Sequence, residues 1–192
     1  MKRLILLLTV FLFVSFTCQA HKAIGYKPER TMEGIQKTEQ YFRDNYNLSL
    51  KNDVIVYVTK SYKEYQSVLE KFNVPNAKEL TRNSYAVTSG TNGILINGSG
   101  LSDRHFLFIL AHELVHKYQF ENYPNPHADY VLLEGKADII AEEISKYDIP
   151  VSNHNIPYEE LKTREGFFKN SKNRPNDTLE QIRYYAKKIP FL

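Results

Sequence analysis

The chain has 192 residues, 24% of them charged, a formal net charge of +3, one cysteine and no tryptophan. That length suits one ordinary domain with a sizeable core. The near-balanced charge argues against nucleic acid or an anionic membrane as partner, and one cysteine cannot build a disulfide framework.

Residues 1–20 read as a secretory signal peptide. Lys2 and Arg3 give a positive start, Leu4 to Phe16 is apolar except for Thr9 and Ser15, and Thr17-Cys18-Gln19-Ala20 ends on a small residue. The apolar run falls short of the roughly 20 residues of a membrane span, so cleavage after Ala20 is expected. Ser15 and Thr17 are a poor setting for a lipid-modified Cys18. Cleavage shortens the chain from 192 to 172 residues, removes the cysteine, and lowers the charge from +3 to +1 with the loss of Lys2 and Arg3. The expected product, residues 21–192, is secreted or extracytoplasmic, free of the membrane after processing, and monomeric.

After a loose start over His21 to Pro28, Ile35, Thr38, Phe42 and Tyr46 fall at helical spacing and predict a helix over Thr31 to Asn45. Val54 to Val58 is a short apolar β run. Ser61, with Glu64 three residues on, forms a capping box for a second helix that ends before Pro75. Tyr85 to Thr88 and Ile94 to Ile96 flank a turn containing Gly90, Asn92 and Gly93, a hairpin signal. Ser102 and Asp103 open a third helix, to about Phe120. Its stretch Phe106 to Ala111 is apolar all round, so it belongs in the domain centre. A fourth helix is predicted from about Ala128 to Tyr147, then helices over Tyr158 to Phe168 and Asp177 to Lys188. The order predicts an α+β fold.

The third helix carries His112-Glu113-Leu114-Val115-His116. Histidines at i and i+4 lie about 40° apart around a helix, one turn above the other, so both imidazoles can reach one metal ion. Glu113, offset around the helix, reaches a water on the metal rather than the metal itself. Three polar side chains in an apolar helix are expensive to bury unpaired, and a metal accounts for all three. A catalytic zinc also needs a third protein ligand and an open fourth position. Glu134 follows His116 by eighteen residues, room for a loop and a returning helix. Asp138, one turn beyond Glu134, is placed to accept the free N–H of a ligating histidine. The expected metal ligands are therefore His112, His116 and Glu134, the cofactor Zn2+, and the catalytic base Glu113.

These residues resemble the gluzincin peptidases, the thermolysin-like branch of zinc peptidases. The stretch Leu133 to Ala137 is similar to the glutamate-helix motif of their small members. The metzincin pattern is absent, since Gln119 and Asn122 stand where it needs Gly and His. The resemblance implies a small zincin-like domain: a short sheet with a hairpin edge packed on an active-site helix and a glutamate helix, followed by a helical C-terminal part. It implies a peptide or protein substrate whose extended backbone pairs with Ile94 to Asn97, taken as the sheet edge. It also implies an oxyanion donor C-terminal to the glutamate helix, for which Tyr185, Tyr184, His154 and His127 are candidates.

The expected reaction is peptide-bond hydrolysis, with Glu113 taking a proton from the zinc-activated water and passing it to the leaving nitrogen. The alternatives are an inactive binding protein on the same fold and a zinc hydrolase acting on a non-peptide amide such as cell-wall material. His105 reads as a surface or packing residue. Asn47, Asn97 and Asn176 head Asn-x-Ser/Thr triplets, acceptors only in a eukaryotic host.

Overall fold

The computed structural model describes residues 20–89, 93–122 and 130–147. In chain order these form β1 (Lys22–Gly25), α1 (Pro28–Tyr46), β2 (Ile55–Thr59), α2 (Tyr62–Lys71), α3 (Ala77–Asn83), β3 (Ala86–Ser89), β4 (Gly93–Asn97), α4 (Asp103–Asn122) and α5 (Tyr130–Ser145). The class is α+β, with one small mixed sheet and several helices. Most of the stretch read as a signal peptide, the hairpin turn, the two helices expected near the C-terminus, Asn176 and the four oxyanion candidates lie outside the described residues. Among the described residues, no helix is long and apolar enough to cross a membrane.

The sheet runs β1-β2-β4-β3, with β1 and β4 parallel to β2, and β3 antiparallel to β4. This corrects one expectation. Ile94 to Asn97 is not an edge, because β4 lies between β2 and β3; the terminal strand on that side is β3. The parallel pairing of Val56 with Ile94 joins segments far apart in sequence, and a local hairpin signal carries no trace of it.

Strands β2 and β4 are apolar on both faces because both faces are covered. Val56, Val58, Ile94 and Ile96 enter the main core with Ile35 and Phe42 of α1 and Leu110 and Leu114 of α4. Leu95 points the other way, to Tyr65 and Leu69 of α2. The Ser61 hydroxyl accepts from Glu64 N–H at 3.2 Å, capping α2 as the sequence predicts. Asn97 is wholly buried in β4, so its triplet is closed to modification in the folded chain, whereas Asn47 is exposed.

Two elements went unpredicted. Strand β1 occupies the supposed loose start. Its Lys22-Ala23-Ile24-Gly25 shows almost no burial pattern and is held by backbone bonds, with Lys22 N–H on Val54 O at 2.9 Å and Tyr26 N–H on Val58 O at 2.8 Å. Gly25 makes the approach possible: its φ is +96°, and a Cβ there would sit 2.3 Å from Val58 O. Helix α3 follows Asn76, which takes a left-handed conformation (φ 56°) and starts a helix just beyond Pro75.

Helix α4 is the centre of the domain. It packs against α1, α5 and the β3–β4 hairpin, and its residues from Phe106 to Ala111 and from Glu113 to Gln119 are buried. The Tyr118 ring stacks on Phe42 at 3.7 Å. Gly34 of α1 leaves room for Leu110, whose Cδ2 would lie 2.5 Å from a Cβ there. Contacts of Gln119 with Leu133, His112 with Asp138 and His105 with Tyr147 show that α5 runs antiparallel to α4.

Candidate metal centre

The antiparallel pairing of α4 with α5 brings His112, His116 and Glu134 together. The two histidine Nε2 atoms are 3.0 Å apart, with the rings nearly perpendicular. Glu134 bridges them, with Oε2 3.3 Å from His112 Nε2 and Oε1 3.3 Å from His116 Nε2. These three residues are the group able to hold a metal ion among the described residues. Two imidazole nitrogens and a carboxylate are also the donor set of a catalytic zinc site. Donors about 2.0–2.1 Å from a tetrahedral zinc stand roughly 3.3–3.4 Å from one another, and the separations in this triangle of residues, with each Nε2 measured to its own Glu134 oxygen, are close to that size. The side chains of His112, Glu134 and His116 keep 17%, 15% and 11% of their surface exposed, so none of the three is fully sealed.

Each histidine is held from behind. His112 Nδ1 donates to Asp138 Oδ1 at 3.0 Å, the role expected of Asp138. His116 Nδ1 lies 2.8 Å from Gln119 Oε1, and Gln119 Nε2 donates to Leu133 O at 2.8 Å. In the sequence Gln119 registers only as a departure from another zinc pattern. The signal that could have found it is its position, three residues beyond His116 on the same helix face.

Glu113 is buried and does not join the triangle. Its carboxylate Oε2 accepts from the Thr88 hydroxyl of β3 at 2.5 Å, and the same hydroxyl lies 3.3 Å from Glu113 O. Thr88 has no motif to announce it, since only the fold lays β3 over α4.

Burial opposes charge on His112, but its hydrogen bonds to Asp138 and Glu134 outweigh that and hold the imidazole well above its ordinary 6.5. Burial likewise opposes charge on His116, and the Glu134 carboxylate raises it above the same value. Glu134 is raised by burial but lowered more by the two histidines, and ends well below the usual carboxylate range. The carboxylates therefore favour protonated imidazoles here.

Aromatic rings line α4 on both sides of the group. Phe108 lies 6.2 Å from the His112 ring and Phe120 6.2 Å from that of His116. His105 stacks on Tyr147 at 4.7 Å and meets Tyr85 edge-on, a packing role as expected. Comparison of the chain with protein-family models, curated proteins and solved structures finds no match, so its function must be read from the chemistry of these residues.

Proposed function

We propose that the chain is an exported zinc-dependent peptidase of the gluzincin type, with His112, His116 and Glu134 as ligands and Glu113 as general base. The observation that carries this reading is the convergence of two histidine Nε2 atoms and both Glu134 oxygens at 3.0–3.3 Å, in side chains that each keep some surface exposed. The donor set fits zinc, and it leaves a coordination position for a reactant. When bound, zinc supplies Lewis acidity, lowering the pKa of water toward about 7 and polarising a carbonyl.

The rest falls to the chain. Asp138 and Gln119 hold the imidazoles so that both Nε2 atoms face the centre. Glu113, one residue from His112 and tethered by Thr88, takes a proton from the attacking water and returns it to the leaving nitrogen. The test is hydrolysis of denatured casein by the mature protein, with and without chelator, beside Glu113→Gln. Activity lost to both treatments supports the peptidase. Zinc-loaded protein that cleaves no peptide overturns it.

A further inference from the structure

We propose that Gln119 is a positioning residue that presets the centre: it fixes His116 in the tautomer that bares Nε2 and pins the backbone beside Glu134 to α4. The inference rests on the metal reading of the site. Gln119 is wholly buried, with its amide between α4 and α5. Its two hydrogen bonds settle the direction of every proton along the chain.

Leu133 O can only accept, so the Gln119 group 2.8 Å away must be the NH2 end. The amide oxygen therefore faces His116 Nδ1, also at 2.8 Å. An amide oxygen also only accepts, so His116 Nδ1 must carry hydrogen. A neutral imidazole has one N–H, and Nε2 is left with a bare lone pair aimed at Glu134 and His112. Flipping the amide would set carbonyl against carbonyl at Leu133, and that backbone oxygen cannot invert its role, whichever tautomer His116 adopts.

The two histidines are thus oriented by different means. His112 is held by a carboxylate, which accepts whichever way it turns. His116 is held by a neutral amide that would be ambiguous alone and takes its direction from Leu133 O. Leu133 precedes Glu134, so one side chain touches one ligand and the backbone adjoining another. Helix spacing, His116 tautomer and Glu134 position are then set before any ion arrives, the supporting shell a tight site requires.

The test compares wild type, Gln119→Leu and Gln119→Glu. 15N NMR of the histidine rings is read on metal-free protein at a pH that keeps them neutral, and zinc affinity is read by chelator competition. Wild-type His116 is expected as the Nδ1–H form. Gln119→Leu should lose that preference and bind zinc about 10–100-fold more weakly. Gln119→Glu keeps an acceptor for Nδ1–H and should restore the tautomer, which general loosening of the core would not do. Should Gln119→Leu fail to fold, Gln119→Met serves in its place. An unchanged His116 tautomer in the apolar variant, or zinc affinity within about twofold of wild type, overturns the proposal. Wild-type protein that binds no zinc overturns the metal reading instead, and the metal-free tautomer comparison still decides the role of Gln119.

Discussion

The Thr88 hydroxyl donates to Glu113 across 2.5 Å, tying a side chain of the central helix to the terminal strand of the sheet. An ionised carboxylate only accepts, so Thr88 occupies one Glu113 oxygen and fixes where the other points.

If Glu113 is the base, Glu113→Gln keeps zinc and fold while hydrolysis falls by about 10²–10⁴-fold. Thr88→Val preserves the branched shape in β3 and removes only the donor. It is expected to lower kcat about 10-fold, the scale of one hydrogen bond to a charged group, with Thr88→Ser recovering most of the loss. Equal zinc content in all three, by elemental analysis, separates this effect from loss of the metal.

Zinc-replete mature protein is expected to hold about one zinc per chain. His112→Ala, His116→Ala and Glu134→Ala should each lower that occupancy. Asp138→Asn should weaken affinity by about 10–100-fold without abolishing binding, because it acts through the His112 ring. Chelator competition ranks the four variants, and an Asp138→Asn protein with wild-type affinity would remove Asp138 from the site.

The pH dependence has opposite signs with and without metal. Zinc needs neutral imidazoles, so its affinity falls as the pH drops through the raised His112 and His116 values. In metal-free protein, the raised histidines contribute stability that is complete below their ordinary 6.5 and is lost as pH rises through the folded values. The lowered Glu134 contributes above its ordinary 4.5 and loses its share as pH falls through the folded value. Thermal melts of metal-free protein should show Tm falling from mildly acidic to alkaline pH, and zinc should suppress that fall. A metal-free Tm that climbs over the same range would contradict these assignments.

Gly25→Ala is expected to cost about 1–3 kcal/mol. The residue sits at φ +96°, and the new Cβ meets the Val58 carbonyl at 2.3 Å, with backbone on both sides of the clash. Gly100→Ala, at φ +71° with open space around it, should lose only about 1 kcal/mol from the left-handed conformation. Urea titration of both variants measures the difference.

The sequence shows most plainly what is encoded within one helix turn. The apolar surround of α4, the i, i+4 histidines and the Ser61–Glu64 cap all follow from local spacing. Glu134 and Asp138 fall one turn apart, and the structure sets both against the histidines. Illegible features depend on distant chain. Strand β1 has no apolar alternation, because its backbone rather than its side chains does the pairing. The burial of β4 inside the sheet depends on β2, nearly forty residues earlier. Thr88 and Gln119 gain meaning only from partners on other elements, and neither Thr nor Gln marks a functional position by its identity alone.

The close packing of α4 on α5 also bears on how far apart the donor atoms stand. Ala137 and Ala141 are wholly buried in the core these helices share, and Gly135 is buried beside Glu134. Residues this small let the helices approach until the donor atoms stand 3.0–3.3 Å apart. Calcium, which takes 6–8 oxygen ligands, finds here two imidazole nitrogens and one carboxylate, a donor set it does not favour. A bulkier side chain at Ala137 would spread the helices and widen the donor spacing. The spacing of the donors is thus written partly in residues that are not among them: their missing bulk is the gauge.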